Sequence, residues 1–218
     1  MTDVLELSDY NLQTSAEDRY DAITLGILES AQSEFESVGL RRSSMARIAS
    51  AAGVSRVTLY RRFANRDQLI NAVFLKVLQQ ILSDAQSILG QTGPLPDRLQ
   101  KTVVALIRHA REHPLITTLL STEPENTLPF LTINAQPLIN LAQSYTRQWI
   151  VDAQKADLIK PYDPAPVAEL LVRLTQSTVV SPHSGSYLNS DHGSAEFARQ
   201  IIVPLIINGP PGAQGNHD

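Results

Sequence analysis

Two groups of side chains in this 218-residue chain could do chemistry. The larger is cationic. Ser37–Arg66 holds seven arginines (Arg41, Arg42, Arg47, Arg56, Arg61, Arg62, Arg66) and no Asp or Glu, in a chain of formal net charge -4. With +7 gathered there, the remainder carries -11. A guanidinium grips phosphate by charge and guanine by a bidentate pair of hydrogen bonds. Salt screens fields beyond about 10 Å, so the local sign selects the partner: a polyanion, in spite of the acidic whole. The smaller group is His109-Ala110-Arg111-Glu112-His113, which fits the H-x-x-E-H pattern of zinc peptidases. There, two His on one helix face hold the metal and the Glu acts as base. Pro114 follows His113 directly, so the second His falls at a helix end, where an imidazolium is a favourable terminal charge. Beyond Glu169 or Glu196 no later segment offers a third ligand. We expect no metal, no cofactor and no catalytic residue; a helical zinc-dependent hydrolase is the alternative reading.

The arginines need elements to aim them. Ile23, Ile27, Ala31 and Phe35 repeat at i+4, which predicts a first helix of about twenty residues, with Gly39 as its C-terminal stop. Ser43 or Ser44 supplies an N-cap hydroxyl for a short second helix ending near Ala51. Gly53 interrupts it. Ser55 caps a third helix, Arg56–Arg62, and Asn65 with Gln68 resembles a capping box for a fourth, running to about Leu89. Two short helices joined at Gly53 make a helix-turn-helix, whose second helix enters the DNA major groove. Leu59 and Phe63, four apart, face inward. Arg56, Val57, Tyr60 and Arg61 are left outside, with Thr58 at the rim.

The rest is also helical. None of the thirteen prolines precedes Pro94, and GQTGPLP (90–96) marks a break. Apolar stripes predict helices up to Pro114, over Ile116–Leu120, Leu138–Leu158, Pro166–Val180 and Ala195–Asn208. Pro204 is expected to kink or interrupt the last. Thr122–Pro137, with three prolines, reads as irregular or broken, and Ser181–Gly193 as a loop. The domain plan is a flexible arm over 1–16, a DNA-binding domain over 17–65, a helical domain over 66–208 and a disordered tail over 209–218, with helix 66–89 linking the two domains. The fold class is all-α. There is no Cys, which excludes disulfides, thiolate metal sites and a Cys nucleophile. No apolar leader and no run of about eighteen apolar residues is present, so we expect a cytoplasmic protein without a membrane partner.

The run Ile48-Ala49-Ser50-Ala51-Ala52-Gly53-Val54-Ser55-Arg56-Val57-Thr58-Leu59-Tyr60-Arg61-Arg62-Phe63, followed by Asn65-Arg66-Asp67-Gln68-Leu69, strongly resembles the tetracycline-repressor (TetR/AcrR) family of bacterial transcriptional regulators. The resemblance covers about Tyr20–Phe74. Val57 departs from it, since Gly or Ala is common there, and this bears on sequence preference. The resemblance implies that Ser43 or Ser44, Thr58 and Tyr60 hold phosphates, that Arg56, Val57 and Arg61 meet the groove, and that Arg66 touches the backbone. Ser55 offers a further hydroxyl, and Arg47 is a weaker contact. Arg62 reads as a structural residue.

The resemblance also implies a small-molecule pocket among the middle helices, and an N-terminal three-helix DNA-binding domain joined to a C-terminal ligand-binding and dimerisation domain. Pocket candidates are His109, Phe130, Tyr145, Trp149 and Leu174, for an apolar or aromatic effector. A homodimer is implied through the last two helices, with Val167, Leu170, Leu171, Leu174, Phe197, Ile201 and Leu205 as interface candidates. Together these make a ligand-responsive, sequence-specific regulator: a repressor that a small molecule releases from a palindromic double-stranded DNA operator.

Overall fold

The computed structural model describes residues 20–181 and 187–211, and every regular element among them is a helix. In chain order these are α1 (Ala22–Arg42), α2 (Met45–Ala51), α3 (Arg56–Arg62), α4 (Arg66–Leu89), α5 (Leu95–Glu112), α6 (Pro114–Thr122), α7 (Pro124–Leu131), α8 (Gln136–Lys155) and α9 (Pro164–Val180). A 3₁₀ turn (Tyr187–Asn189), α10 (Asp191–Phe197), a π turn (Ala198–Ile202) and α11 (Val203–Asn208) complete it. The arm expected over 1–16 lies outside the described residues, as do 182–186 of the expected loop and 212–218 of the expected tail. Gly209 is placed. It closes α11 at φ 76°, and a Cβ there would stand 2.6 Å from the Tyr162 ring.

The contacts divide the chain into two compact units. One holds the described residues up to Gln80 together with Pro114–Leu138. The other holds Ile81–His113 and Ile139 onward. The unit with the helix-turn-helix thus extends past residue 65, along α4, and takes in α6 and α7.

In the first unit α1 starts at Asp21, whose carboxylate accepts the Thr24 N–H at 2.7 Å. Its buried stripe is Ile27, Leu28, Ala31 and Phe35. Ile23 shares that face but is 47% exposed, because the first turn stands outside the packed part of the helix. α1 packs on α2 and α6. Thr122–Pro137 is broken rather than irregular throughout: α6 ends at Thr122, Pro124 opens α7 at a position that needs no N–H, and with Pro129 inside it α7 stops two residues later. Phe130 of α7 stacks on Phe74 of α4 with centroids 6.3 Å apart.

In the second unit α5 is the central strut, packing on α9, α10 and the π turn. Leu99 of α5 forms one core with Ile202, Val203 and Ile206. Ile150, Ala153, Ile159 and Val167 form a second. The final helix is interrupted just before Pro204. The π turn moves the Val203 N–H onto Ala198 O, so the proline follows a widened turn. Asp191, at the start of α10, accepts Arg108 Nη2 at 2.5 Å and Arg111 Nη2 at 3.1 Å, and both arginines hold its carboxyl below the usual range.

Asp21 also accepts Arg62 Nη1 at 2.5 Å. The Thr24 amide first, and Arg62 after it, hold its carboxyl below the usual range. An acid so lowered stabilises the fold above its unfolded pKa of about 3.9, and that gain is lost as pH falls through the folded-state value. Asp21→Ala is therefore expected to lower the thermal midpoint at pH 7, with the gap to wild type narrowing on acidification; melts of both proteins from pH 7 to pH 2 check it.

Candidate nucleic-acid interface

The interface is assembled by capping and one-sided burial. Ser44 caps α2, accepting the Arg47 N–H at 3.2 Å. Ala52 ends α2, and Gly53 takes φ 67°, the left-handed region that a Cβ would strain. Val54 N–H returns to Ala49 O at 3.0 Å, closing the turn. Ser55 then caps α3: its Oγ accepts the Thr58 N–H at 3.1 Å and pairs with Thr58 Oγ1 at 2.9 Å. Gln68 N–H donates to Asn65 Oδ1 at 2.9 Å, and Gln68 Oε1 reaches back to Ala64 N–H. The capping box at the head of α4 is present, shifted by one residue on its return arm.

α3 buries one face and shows the other. Leu59 is fully buried and Phe63 nearly so, beside buried Ile48 and Ala49 of α2. Arg56, Val57, Tyr60 and Arg61 face solvent, and Thr58 is half-buried. Val57 is 77% exposed, an apolar β-branched residue with no packing reason to be there.

The seven arginines separate into two sets. Arg41, Arg42, Arg56 and Arg61 are exposed. The other three have internal work. Arg62 Nη1 donates to Thr24 Oγ1 at 2.5 Å and pairs with Asp21, tying α3 to the start of α1. Arg47 Nη2 pairs with Glu34 Oε1 at 2.6 Å and donates to Arg42 O at 2.7 Å, although its side chain remains half exposed. Arg66 Nη2 donates to Ser43 Oγ at 3.0 Å. Ser43 itself is buried, its hydroxyl donated to Leu40 O at 2.7 Å, so of the two serines only Ser44 reaches the surface. The expectation that Ser43 presents a hydroxyl to phosphate is corrected by that burial.

The expected pocket residues fall in both units. Phe130 lies in the first unit against Phe74. The others lie in the second. His109 holds Ala105 O through Nδ1 at 2.9 Å and faces Asp84 at 3.7 Å. Tyr145 is mostly buried with its hydroxyl unbonded, and burial pushes its pKa up to about 12. Leu174 and Trp149 pack on the Leu99 core. Trp149 also lines a cleft of about 210 Å³ with Leu89, Leu95, Arg98, Asp152 and Leu158. The H-x-x-E-H residues are committed elsewhere: Glu112 pairs with Arg111, and His113 ends α5 with its N–H on His109 O. Glu169 and Glu196 pair with Arg173 and Arg199. Among the described residues no three His, Asp or Glu come close enough to hold a metal. Of the interface candidates, Val167 is a correction: it is buried in its own unit with Ile150 and Ile159. Leu171, Leu174, Phe197 and Leu205 are half-buried on their own cores, while Leu170 and Ile201 are 52% and 53% exposed.

Comparison with known proteins agrees with this geometry. Residues 27–73 match the family model of bacterial regulatory proteins of the tetR family, and residues 96–199 match a tetracycline-repressor C-terminal domain. The chain is 24% identical over 148 residues to the HTH-type transcriptional regulator YhgD of Bacillus subtilis (strain 168), covering 68% of this chain and 78% of that protein. It is 23% identical over 175 residues to the HTH-type transcriptional regulator AlkX of Mycobacterium tuberculosis, covering 75% and 77%. Among solved structures, the repressor AlkX from Dietzia sp. superposes with a TM-score of 0.67 at 24% identity, over 86% of this chain and 96% of that one. The repressor QsdR of R. erythropolis superposes at 0.61 and 21%, over 90% and 97%.

Residues that sequence reasoning missed are polar and buried or partly buried. Glu123 reaches across to α1, and Arg98 lines the cleft with its Nε unbonded. Gln79 on α4 is 7% exposed, and neither amide atom has a partner. An unsatisfied buried polar group costs about 1–3 kcal/mol, so Gln79 holds the fold below its attainable stability. Gln79→Leu is expected to raise the thermal midpoint, by about 2–4 °C for each kcal/mol recovered in a chain of this size. Scanning calorimetry checks it; an unchanged or lower midpoint contradicts it.

Proposed function

The chain belongs to the TetR family of bacterial transcriptional regulators, and from that premise we propose that two copies grip a palindromic operator and release it when a small molecule binds. The observation that carries the DNA reading is the outer face of α3. Its inner residues Leu59 and Phe63 are buried, while Arg56, Val57, Tyr60 and Arg61 stand in solvent with no carboxylate among them. Arg56 and Arg61 meet base edges or phosphates, Val57 offers an apolar contact to a thymine methyl, and Tyr60 and Thr58 hold phosphates. Ser44 and Ser55 supply cap hydroxyls at the same surface. Arg41 and Arg42 add charge beside them. Arg47, half engaged by Glu34, ranks below these. Arg66 and Ser43 hold each other and support the surface from behind.

Exposed Leu170 and Ile201 support a homodimer through α9 and the last helix. A dimer sets two α3 helices on half-sites about one helical turn, 34–36 Å, apart. The effector domain is the second unit, where the Trp149 cleft, lined mainly by Leu89, Leu95, Ala153 and Leu158, supports a largely apolar effector. The AlkX repressor from Dietzia sp. is implicated in biodegradation of n-alkanes, which is consistent with an apolar effector here. A coupling of about 1–3 kcal/mol between effector and operator changes affinity roughly 5–150-fold, provided the effector prefers the DNA-incompetent state. The protein acts in the cytoplasm, on DNA.

Binding of the full chain to a labelled duplex from the DNA flanking its own gene tests the reading, with random competitor present. Wild type is expected to bind specifically. Arg61→Ala is expected to weaken binding by about 1–3 kcal/mol without moving the thermal midpoint, and Val57→Ala to change base preference at one position of each half-site. Equal binding to random DNA, unaffected by Arg61→Ala, contradicts it.

A further inference from the structure

α1 breaks at Gly39. A φ of 79° with ψ 174° is not helical, so the helix kinks there and the amides just after it can turn to other acceptors. One of them, Arg41 N–H, donates to Glu123 Oε2 at 2.7 Å, from a residue 82 positions away in sequence. Glu123 is 7% exposed and sits between α6 and α7. It occupies the N-cap position of α7, yet its side chain makes no bond to that helix. Its other oxygen fills the space beside Gly39, where a Cβ would stand 2.4 Å from Oε1. The left-handed glycine and the carboxylate are fitted to each other.

The turn held in this way faces the candidate interface. Ser43 returns both its N–H and its Oγ to Leu40 O. Arg42 O accepts Arg47 of α2. Ser43 Oγ accepts Arg66 at the head of α4. Arg41 and Arg42 project outward from the turn, and Ser44 starts α2 directly after it.

We propose that Glu123 is a positioning residue for DNA binding: its carboxylate clasps the Leu40–Ser43 turn, so that a shift at the α6–α7 junction is felt by Arg41, Arg42 and Ser44. The inference rests on the helix-turn-helix being the DNA interface. It has a distinctive sign. A carboxylate that acted only as a charge would repel DNA, and any neutral replacement would tighten binding. A clasp requires an acceptor at the right reach. Glu123→Gln keeps the acceptor and loses the charge. Glu123→Asp keeps the charge and falls one methylene short. Glu123→Ala removes both.

The test uses the full chain, with two readouts: amide hydrogen exchange over Arg41–Arg47 in the free protein, and affinity for a duplex that wild type selects from a random-sequence pool. E123A and E123D are expected to exchange at Arg41 at least about tenfold faster and to bind at least about fivefold more weakly. E123Q is expected to match wild type in both. If E123A does not fold, E123D carries the test. Unchanged exchange in E123D, or tighter binding by both E123Q and E123A, overturns the proposal. A wild type that selects no sequence overturns the DNA reading and the proposal with it, and faster exchange in E123D would then separate that failure from the absence of a clasp.

Discussion

A seven-residue helix does not persist in water on its own, and everything this protein does at its basic face depends on how α3 is held. Three devices hold it. The Ser55 hydroxyl takes an amide that the helix cannot satisfy internally. Leu59 and Phe63 remove an apolar face from water. Arg62 joins the helix end to Asp21 and Thr24 at the far end of α1. All three act on the inner side or the ends, so the outer side is left free for arginines that the fold does not use.

That division explains how an acidic protein keeps a basic surface. Of the seven arginines in the cluster, Arg47, Arg62 and Arg66 are paired with groups of the protein, and Arg41, Arg42, Arg56 and Arg61 are exposed. The absence of Asp and Glu between residues 37 and 66 matters more than the count of arginines, because a local carboxylate would quench the field at contact range. The three acids that do reach this region, Asp21, Glu34 and Glu123, come from outside it. Two take arginine side chains and the third a backbone amide.

Local chemistry was the legible part. The Ser44, Ser55 and Asn65 caps, the turn at Gly53 and the inward pair Leu59 and Phe63 follow from residue type and spacing alone, because each is settled within four residues. What failed or stayed hidden is tertiary. The prolines of 122–137 do break the chain, with Pro124 at a helix start and Pro129 inside a helix that ends two residues later, but residue type alone does not say which pieces stay helical. Val167 read as part of the dimer face and is buried in its own unit, since periodicity gives a face without saying which neighbour covers it. Ser43 and Ser44 were indistinguishable in sequence, and only the break at Gly39 turns one inward and the other outward. Glu123 had no local signal at all: its partner is 82 residues away. The pocket candidates are four ring side chains and Leu174 spread over several helices, and sequence spacing does not show that Phe130 stacks on α4 within the first unit.

The salt dependence of duplex binding tests most directly whether the exposed arginines, and not the paired ones, meet phosphate. Each phosphate contact adds about 0.9 to the slope of log affinity against log salt. Arg56→Ala is expected to reduce that slope by about one contact while leaving the melting temperature unchanged. Arg62→Ala is expected to lower the melting temperature and leave the slope as in wild type. A slope that Arg56→Ala does not move, or that Arg62→Ala reduces by a full contact in a protein that still melts normally, contradicts the division between the two sets.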